Sequence, residues 1–191
     1  MSEHDFHVHG PHDHEHEHAA HSAPDSFAGQ LAVVTAVLAT AGAMFSYMGG
    51  ATQANAGLLK NDAAIRKTEA ANQWSYYQAK SGKQNLSELA IALAPADRQP
   101  FYQDEVKRYK AEKAEIKLAA EKLEAEARAF DEQSAAQMHE HHRWAQATTV
   151  LQVSIAMAAI ALLTKRKWLA VVVFGVGGVG IVLGALAWFH V

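Results

Sequence analysis

Apolar residues recur at alternating steps of four and three positions along two long stretches of this chain. The more regular stretch combines two series with a spacing of seven: Tyr102, Tyr109, Ile116, Leu123, Phe130, Gln137, Trp144, Leu151 and Ala158, and Val106, Lys113, Ala120, Ala127, Ser134, His141, Thr148, Ile155 and Leu162. Such spacing places side chains on one face of an α-helix that packs against a partner along its length. The pattern therefore predicts one continuous helix through this stretch.

The same steps of four and three precede it and predict a second long helix. Its pattern comprises Leu58, Asn61, Ile65, Thr68, Asn72, Ser75, Ala79, Gly82, Leu86, Leu89 and Leu93, and it extends back through Ala54, Ala51, Tyr47, Met44, Thr40, Val37 and Val33. We expect this face to pack against the partner helix. Small residues such as Gly82 permit close approach, and Asn61 and Asn72 favour one register at some cost in stability.

Two prolines separate the predicted helices. Pro95 ends the first helix, and Asp97 can cap a second helix whose first turn tolerates Pro100. Because a short turn joins antiparallel neighbours, residues 51–145 are predicted to form an antiparallel helical hairpin with its turn at 95–100. The arms 51–93 and 101–145 are nearly equal in length, each about 65 Å as helix. Both ends of the hairpin should therefore return to the same surface.

Three uncharged, apolar runs suggest what that surface is. They span 26–59, 144–164 and 168–191, and each contains the roughly 20 residues that cross a bilayer. The predicted fold class is an all-α membrane protein with transmembrane helices at 27–50, 146–164 and 168–189, in which the hairpin forms a coiled-coil-like stalk between the first and second. The basic loop Lys165-Arg166-Lys167 favours the cytoplasm. This predicts a multi-pass protein of the cell (inner) membrane, with a cytoplasmic N-terminus and the hairpin and C-terminus periplasmic or extracellular.

Histidines dominate the first 26 residues, which contain too little apolar surface to fold and are predicted to be disordered. The eight histidines are His4, His7, His9, His12, His14, His16, His18 and His21. Their His-x-His spacing can chelate Ni, Cu or Zn. The alternative is a solvated tail whose histidines have no role in metal handling. No cofactor is otherwise expected.

Several function classes find no support in the sequence. There is no cysteine for thiolate chemistry, no basic stripe for nucleic acid, and no charge inside the apolar runs for ion transport. The segment 175–180 matches a dinucleotide-binding glycine pattern but lacks the strands and the acidic residue that such a site requires. We predict instead that Gly177, Gly180 and Gly184 allow close helix packing in lipid, within the chain or between subunits. A two-helix arm also offers no enclosed catalytic pocket, so an enzyme is not expected.

One aromatic and basic cluster lies near the middle of the first arm. Trp74, Tyr76, Tyr77 and Lys80 combine aromatic area with hydrogen-bonding groups and can form a docking surface for a protein partner. Alternatively, the rings pack across the hairpin against Ile116, Leu123 or lysine side chains. Over most of its length the chain resembles a bacterial membrane family known as domain of unknown function 4337, and the surrounding block at 73–80 (QWSYYQAK) is the most specific part of that resemblance. The resemblance implies a similar three-span architecture and no assigned activity.

These features favour a membrane-anchored helical-hairpin scaffold that binds the lipid bilayer and oligomerises, or docks a still unknown protein partner, without catalysis. The stalk and the third span are the surfaces expected to mediate a homo-oligomer. Two alternatives remain: a metal-responsive membrane protein that uses the histidine tail, and a subunit of a pore or transporter.

Overall fold

The protein is all-helical throughout residues 27–189, the range that the computed structural model describes. Its three helices are α1 (Phe27–Leu93), α2 (Gln99–Thr164) and α3 (Lys167–Trp188), and this range contains no strand. Tyr102 and Leu162 lie on the same helix, as the spacing predicts. The predicted disordered tail at residues 1–26, with all eight of its histidines, lies outside the described range.

Short turns connect the three helices. Between α1 and α2, the Arg98 amide donates to the Pro95 carbonyl at 2.9 Å, and the Gln99 side chain donates to the Ala94 carbonyl at 3.3 Å. The sequence analysis assigns Asp97 as the N-cap of the second helix. Because α2 begins at Gln99, the N-cap position is Arg98, and Asp97 lies one residue before it. Between α2 and α3 the chain turns over two residues, and Lys165 adopts a φ of 53°, in the left-handed region.

The chain divides into two compact units, one formed by Gly50–His141 and the other by the residues on either side of that segment. The second unit contains parts of all three helices. Its core consists of Leu31, Leu38, Leu151, Ala158, Ala161, Ala170 and Val173. Near it, Trp144 is buried, with its ring 5.3 Å from that of Phe45 and 6.4 Å from that of Trp188.

Each of the three helices is long and apolar enough, by length and composition, to cross a membrane. The apolar residues lie at the start of α1, at the end of α2 and throughout α3. The three apolar runs of the sequence thus correspond to helices, which confirms the all-helical part of the predicted fold class.

Within Gly50–His141, α1 and α2 contact each other along their length. The Ser134 hydroxyl donates to the Ala56 carbonyl at 2.8 Å, and the Lys113 ammonium donates to the Gln84 side chain at 3.1 Å. Residue numbers fall along α2 as they rise along α1, so the two helices run in opposite directions here. The Ser134 bond reaches a main-chain atom of α1, which requires a close approach of the two backbones.

The predicted contact face of α2 is its buried face, but the predicted contact face of α1 is wrong. All eleven residues of the α1 pattern from Leu58 to Leu93 are exposed, and Leu58 and Leu86 retain 66% and 68% of their accessible surface. The face that packs against α2 lies about two residues away around the helix. Its members are Thr52, Ala56, Leu59, Ala63, Arg66, Ala70, Gln73, Tyr77, Lys80, Gln84 and Ser87, all buried or half-buried.

Small side chains and charge explain this choice. Ala56, Ala63 and Ala70 are almost fully buried, and alanine lets two helices approach closely. Basic residues also border this face of α1, where they meet acidic residues of α2. The leucines and isoleucine of the other face offer more apolar area but no such ion pairs.

Candidate functional site

The predicted aromatic and basic cluster lies on α1 and makes most of its contacts with α2. The Trp74 indole N–H donates to Glu124 Oε1 at 2.7 Å, and its ring lies edge-on to Tyr77 at 5.7 Å. Lys113 of α2 places its ammonium 4.9 Å from the centre of the Tyr77 ring. Both aromatic residues therefore contact α2, through Glu124 and Lys113, and lysine is among the partners that the packing alternative names.

Lys80 is the charged residue of the cluster, and its side chain is largely buried. Its side chain is only 15% exposed, and its Nζ lies 2.5 Å from Glu112 Oε2. The ammonium also lies 5.1 Å and 5.6 Å from the ring centres of Tyr76 and Tyr109. The hydrogen bond with Glu112 is the main cause that raises the pKa of Lys80, and the same bond lowers the pKa of Glu112. Both groups therefore stay charged over the neutral range.

Tyr76 is the member of the cluster that remains available to another molecule. Half of its surface is exposed, and one ring face is shared with the Lys80 ammonium. A tyrosine in this state can offer an aromatic edge and a hydroxyl to a partner. Of the four residues predicted to form a docking surface, Tyr76 is therefore the most accessible to a partner.

A second polar contact region joins the helices at residues that the sequence analysis did not select. Asp131 of α2 accepts hydrogen bonds from the ammonium groups of Lys60 at 2.8 Å and Lys67 at 2.5 Å. These bonds, with Lys60 the larger cause, lower the pKa of Asp131. Nearby, Arg66 Nε lies 3.3 Å from Glu126 Oε2. The signal that could have revealed this region is the alternation of basic residues on one arm with acidic residues on the other.

The three glycines of α3 that the sequence analysis selected lie against side chains of the other two helices. A Cβ atom at Gly177 would come within 2.9 Å of Leu38 Cδ1, and one at Gly180 within 2.5 Å of Leu151 Cδ2. A Cβ at Gly184 would overlap the ring of Phe45. Each glycine is therefore surrounded by residues of this chain, which is the intrachain form of the predicted packing.

Metal ligands do not cluster in the described part of the chain. Between residues 27 and 189 there is no group of three or more His, Asp or Glu side chains placed to hold an ion. The segment His139-Glu140-His141-His142 falls within this range. The predicted tail ligands, His4 to His21, lie outside it, so the tail prediction stays a prediction.

The sequence of the helical region shows which protein family the chain belongs to. A family model described as Domain of unknown function (DUF4337) matches residues 27–190. The chain belongs to this family. This confirms the resemblance carried by the block at 73–80. Searches of curated proteins and of solved structures found no match. The DUF4337 description assigns no activity, so the function of the chain has to be argued from its own contacts.

Proposed function

We propose that this DUF4337 chain is a membrane-anchored scaffold whose antiparallel pair of helices forms a stalk outside the bilayer. The apolar segments of α1, α2 and α3 supply three membrane crossings, since each has the length and composition that a crossing requires. The segment Gly50–His141 is charged and polar on most of its surface, which suits water. In this arrangement the stalk presents surfaces to partners and catalyses no reaction.

The observation that best supports a scaffold is the use of the polar side chains in the stalk. Ion pairs between α1 and α2 engage the charged groups of Lys80, Glu112 and Asp131. A catalytic role would require such groups to converge on a space that a substrate can enter. Here each group pairs with a charge on the other helix, Lys80 with Glu112 and Asp131 with two lysines of α1, and this pairing raises the pKa of Lys80 and lowers the pKa of Glu112 and of Asp131.

Cross-linking and native mass spectrometry in mild detergent test this proposal. We expect the full chain to form an oligomer or to retain a protein partner from its native membrane. A strict monomer that retains no partner would contradict the scaffold role. Membrane insertion is tested separately by extraction: the protein should stay with the lipid at high salt and at alkaline pH, and release by either treatment would contradict the three crossings.

The proposed orientation places the N-terminus in the cytoplasm and the stalk and C-terminus on the other side. Its support is the basic loop Lys165-Arg166-Lys167, because short basic loops favour the cytoplasm. Since the chain contains no cysteine, single substitutions Lys165→Cys and Leu118→Cys allow a direct test in intact cells. An impermeant maleimide should label Leu118→Cys and leave Lys165→Cys unlabelled; the reverse pattern would invert the topology.

A second candidate function is metal sensing through the histidine tail. It is favoured by the eight histidines at His4, His7, His9, His12, His14, His16, His18 and His21, because neighbouring imidazoles chelate Ni, Cu or Zn. Calorimetry should show tight binding of nickel or copper to the full chain and its loss when the eight histidines are replaced by alanine. Equal affinity of the two proteins would remove this candidate.

A further inference from the structure

The exposed face of α1 in the stalk repeats the pattern of a helix contact, and no other helix within the described residues 27–189 covers it. We define the outer seam by its residues: Ala51, Ala54, Leu58, Asn61, Ile65, Thr68, Asn72, Ser75, Ala79, Gly82, Leu86, Leu89 and Leu93. Leu86 and Leu93 retain 68% and 76% of their surface, and Ile65 retains 48%. The seam maintains steps of three and four through six successive seven-residue repeats. A solvated helix face has no need of such periodicity, whereas a helix that packs on another one requires it.

The order of residues along the outer seam indicates which partner fits it. If two copies of α1 run in parallel and in register, each layer pairs a residue with itself. Leu58, Ile65 and Leu86 then meet apolar equivalents, and Asn72 meets Asn72 of the other copy. A pair of asparagines at such a core position can hydrogen-bond across the interface and is a known device for fixing register and oligomeric state.

An antiparallel pair matches these layers poorly. The arrangement centred between Asn72 and Ser75 overlaps the two seams well but sets Leu86 against Asn61 and Ile65 against Gly82. Asn61 would then face the apolar side chain of Leu86 without a hydrogen-bond partner, and Ile65 would face a gap, although Asn72 would lie opposite Ser75. Burial of an unpaired amide is costly, so the layers favour the parallel pair.

The residues that border the outer seam agree with a parallel pair. One border carries Asp62, Glu69, Tyr76 and Lys83, and the other carries Gly57, Ala64, Ala71, Gln78 and Asn85. In a parallel pair the first border of one copy faces the second border of the other. Acidic residues therefore meet uncharged ones, and no like charges oppose each other. Tyr76, the exposed ring of the aromatic cluster, lies on this border.

The area of the outer seam is sufficient for a specific dimer. From Ala51 to Leu93 the seam is about 64 Å long at 1.5 Å per residue and about 10 Å wide, the diameter of a helix. Two copies would bury about 1,300 Å² in total, within the range of roughly 1,200–2,000 Å² of specific interfaces.

We propose that a second copy of this chain packs in parallel and in register on the outer seam. The inference rests on the proposed scaffold function, because two chains anchored in one membrane with one topology present α1 in the same direction. In this dimer each copy uses one face of α1 for its own α2 and the opposite face for α1 of the second copy. The pairs of helices thereby join into a four-helix stalk.

Cysteine cross-linking tests both the face and the direction. Ile65→Cys and Leu86→Cys, each alone in the full-length chain in lipid vesicles, should form disulfide-linked dimers on oxidation with diamide. The control is Leu118→Cys, because Leu118 on α2 is as exposed as Leu86, at 70% against 68%; it should stay monomeric. An antiparallel pair would give no dimer with either single variant but would link Ile65→Cys to Gly82→Cys in a mixture, and that result would overturn the proposal.

A charge substitution gives a second readout that needs no oxidation. Leu86→Glu should weaken dimerisation by at least ~10-fold, as measured by single-molecule photobleaching in vesicles, and Leu118→Glu should leave it unchanged. Circular dichroism should show the same helix content in both variants. If dimers persist in Leu86→Glu, the outer seam is not the interface, although the scaffold function survives. If the wild-type chain is a monomer without partners, both proposals fail.

Discussion

Substitution of Gly180 by alanine should destabilise the chain, although alanine is the better helix former. A Cβ atom there would lie 2.5 Å from Leu151 Cδ2, 2.9 Å from Leu151 Cγ and 3.2 Å from the Leu151 main-chain nitrogen. Because one of these atoms belongs to the backbone, rotation of the leucine side chain cannot remove all of the overlap. Overpacking of this kind costs about 1–3 kcal/mol, against a gain of about 0.5–1 kcal/mol from replacing glycine in a helix. These ranges leave a net loss of up to about 2.5 kcal/mol.

Gly178→Ala is the matched control. It lies on the same helix two residues away, and apart from its neighbours and the adjacent backbone of its own helix no atom lies within 4 Å of a Cβ atom built there. This variant should keep the helix-forming gain and be slightly more stable than the wild type. Thermal unfolding of both variants in one detergent, followed by circular dichroism, should separate their midpoints by roughly 2–12 °C, since 1 kcal/mol corresponds to about 2–4 °C at this size.

The companion variant Leu151→Ala identifies the contact. If the penalty of Gly180→Ala arises from the leucine, the double variant should be more stable than the sum of the two single changes predicts, because the new methyl group then occupies space that Leu151 vacates. Equal midpoints for Gly180→Ala and Gly178→Ala would refute the reasoning. It would mean that α3 does not pack against Leu151 at this position.

Three further predictions concern single residues. Asp131→Asn should lower stability at pH 7, because Lys60 and Lys67 depress the pKa of Asp131 in the folded chain; the difference from the wild type should shrink as the pH falls from about 5 to below the unfolded value of about 3.9, as measured by urea unfolding at several pH values. Lys165→Asn should raise the melting midpoint slightly, by a stabilisation of at most about 1 kcal/mol, because asparagine tolerates the left-handed conformation. Ser134→Ala should cost about 0.5–1.5 kcal/mol in the same urea assay, through loss of a buried hydrogen bond.

Each of these predictions has a control on the same chain. Asp104→Asn changes an exposed carboxylate paired with Lys107 on its own helix, so it should show little effect at any pH. Lys167→Asn removes the same charge as Lys165→Asn from a residue that begins a helix, and should give no gain. Thr149→Ala removes an exposed hydroxyl that bonds only within α2, and should be near neutral. A wild-type pH profile in Asp131→Asn, or equal results for a variant and its control, would contradict the corresponding argument.

The helices themselves could be predicted from the sequence because their signals are local. Uncharged runs of bilayer length and the prolines at 95 and 100 mark the helical segments and the turn. The buried face of α2 could be predicted as well, because a regular series of apolar residues such as Tyr109, Ile116 and Leu151 repeats on that face, whereas an exposed apolar residue such as Leu118 lies outside the series. Here hydrophobicity and burial coincide.

On α1 they do not coincide, and this is why its contact face was predicted wrongly. One face carries Leu58, Ile65 and Leu86, and the opposite face carries Ala56 and Ala63. If the contact face is chosen by the size of its apolar side chains, the first face is predicted to pack against α2. In the structure the alanine face packs against α2, where it allows close approach of the helices, the Ser134 hydrogen bond and the ion pairs of the basic residues. All three contacts depend on α2, so the sequence of α1 alone does not reveal them.

The partners of the aromatic cluster likewise could not be predicted from α1 alone. The sequence identifies Trp74 and Lys80 as residues of interest, but their partners Glu124 and Glu112 lie on the other helix, at positions that the register alone determines. With the register known, both residues serve the contact between the helices, and the surface left over is Tyr76 beside the outer seam. If the outer seam binds a second copy, as proposed above, α1 carries two contact faces, and the more apolar of them belongs to the second copy rather than to α2.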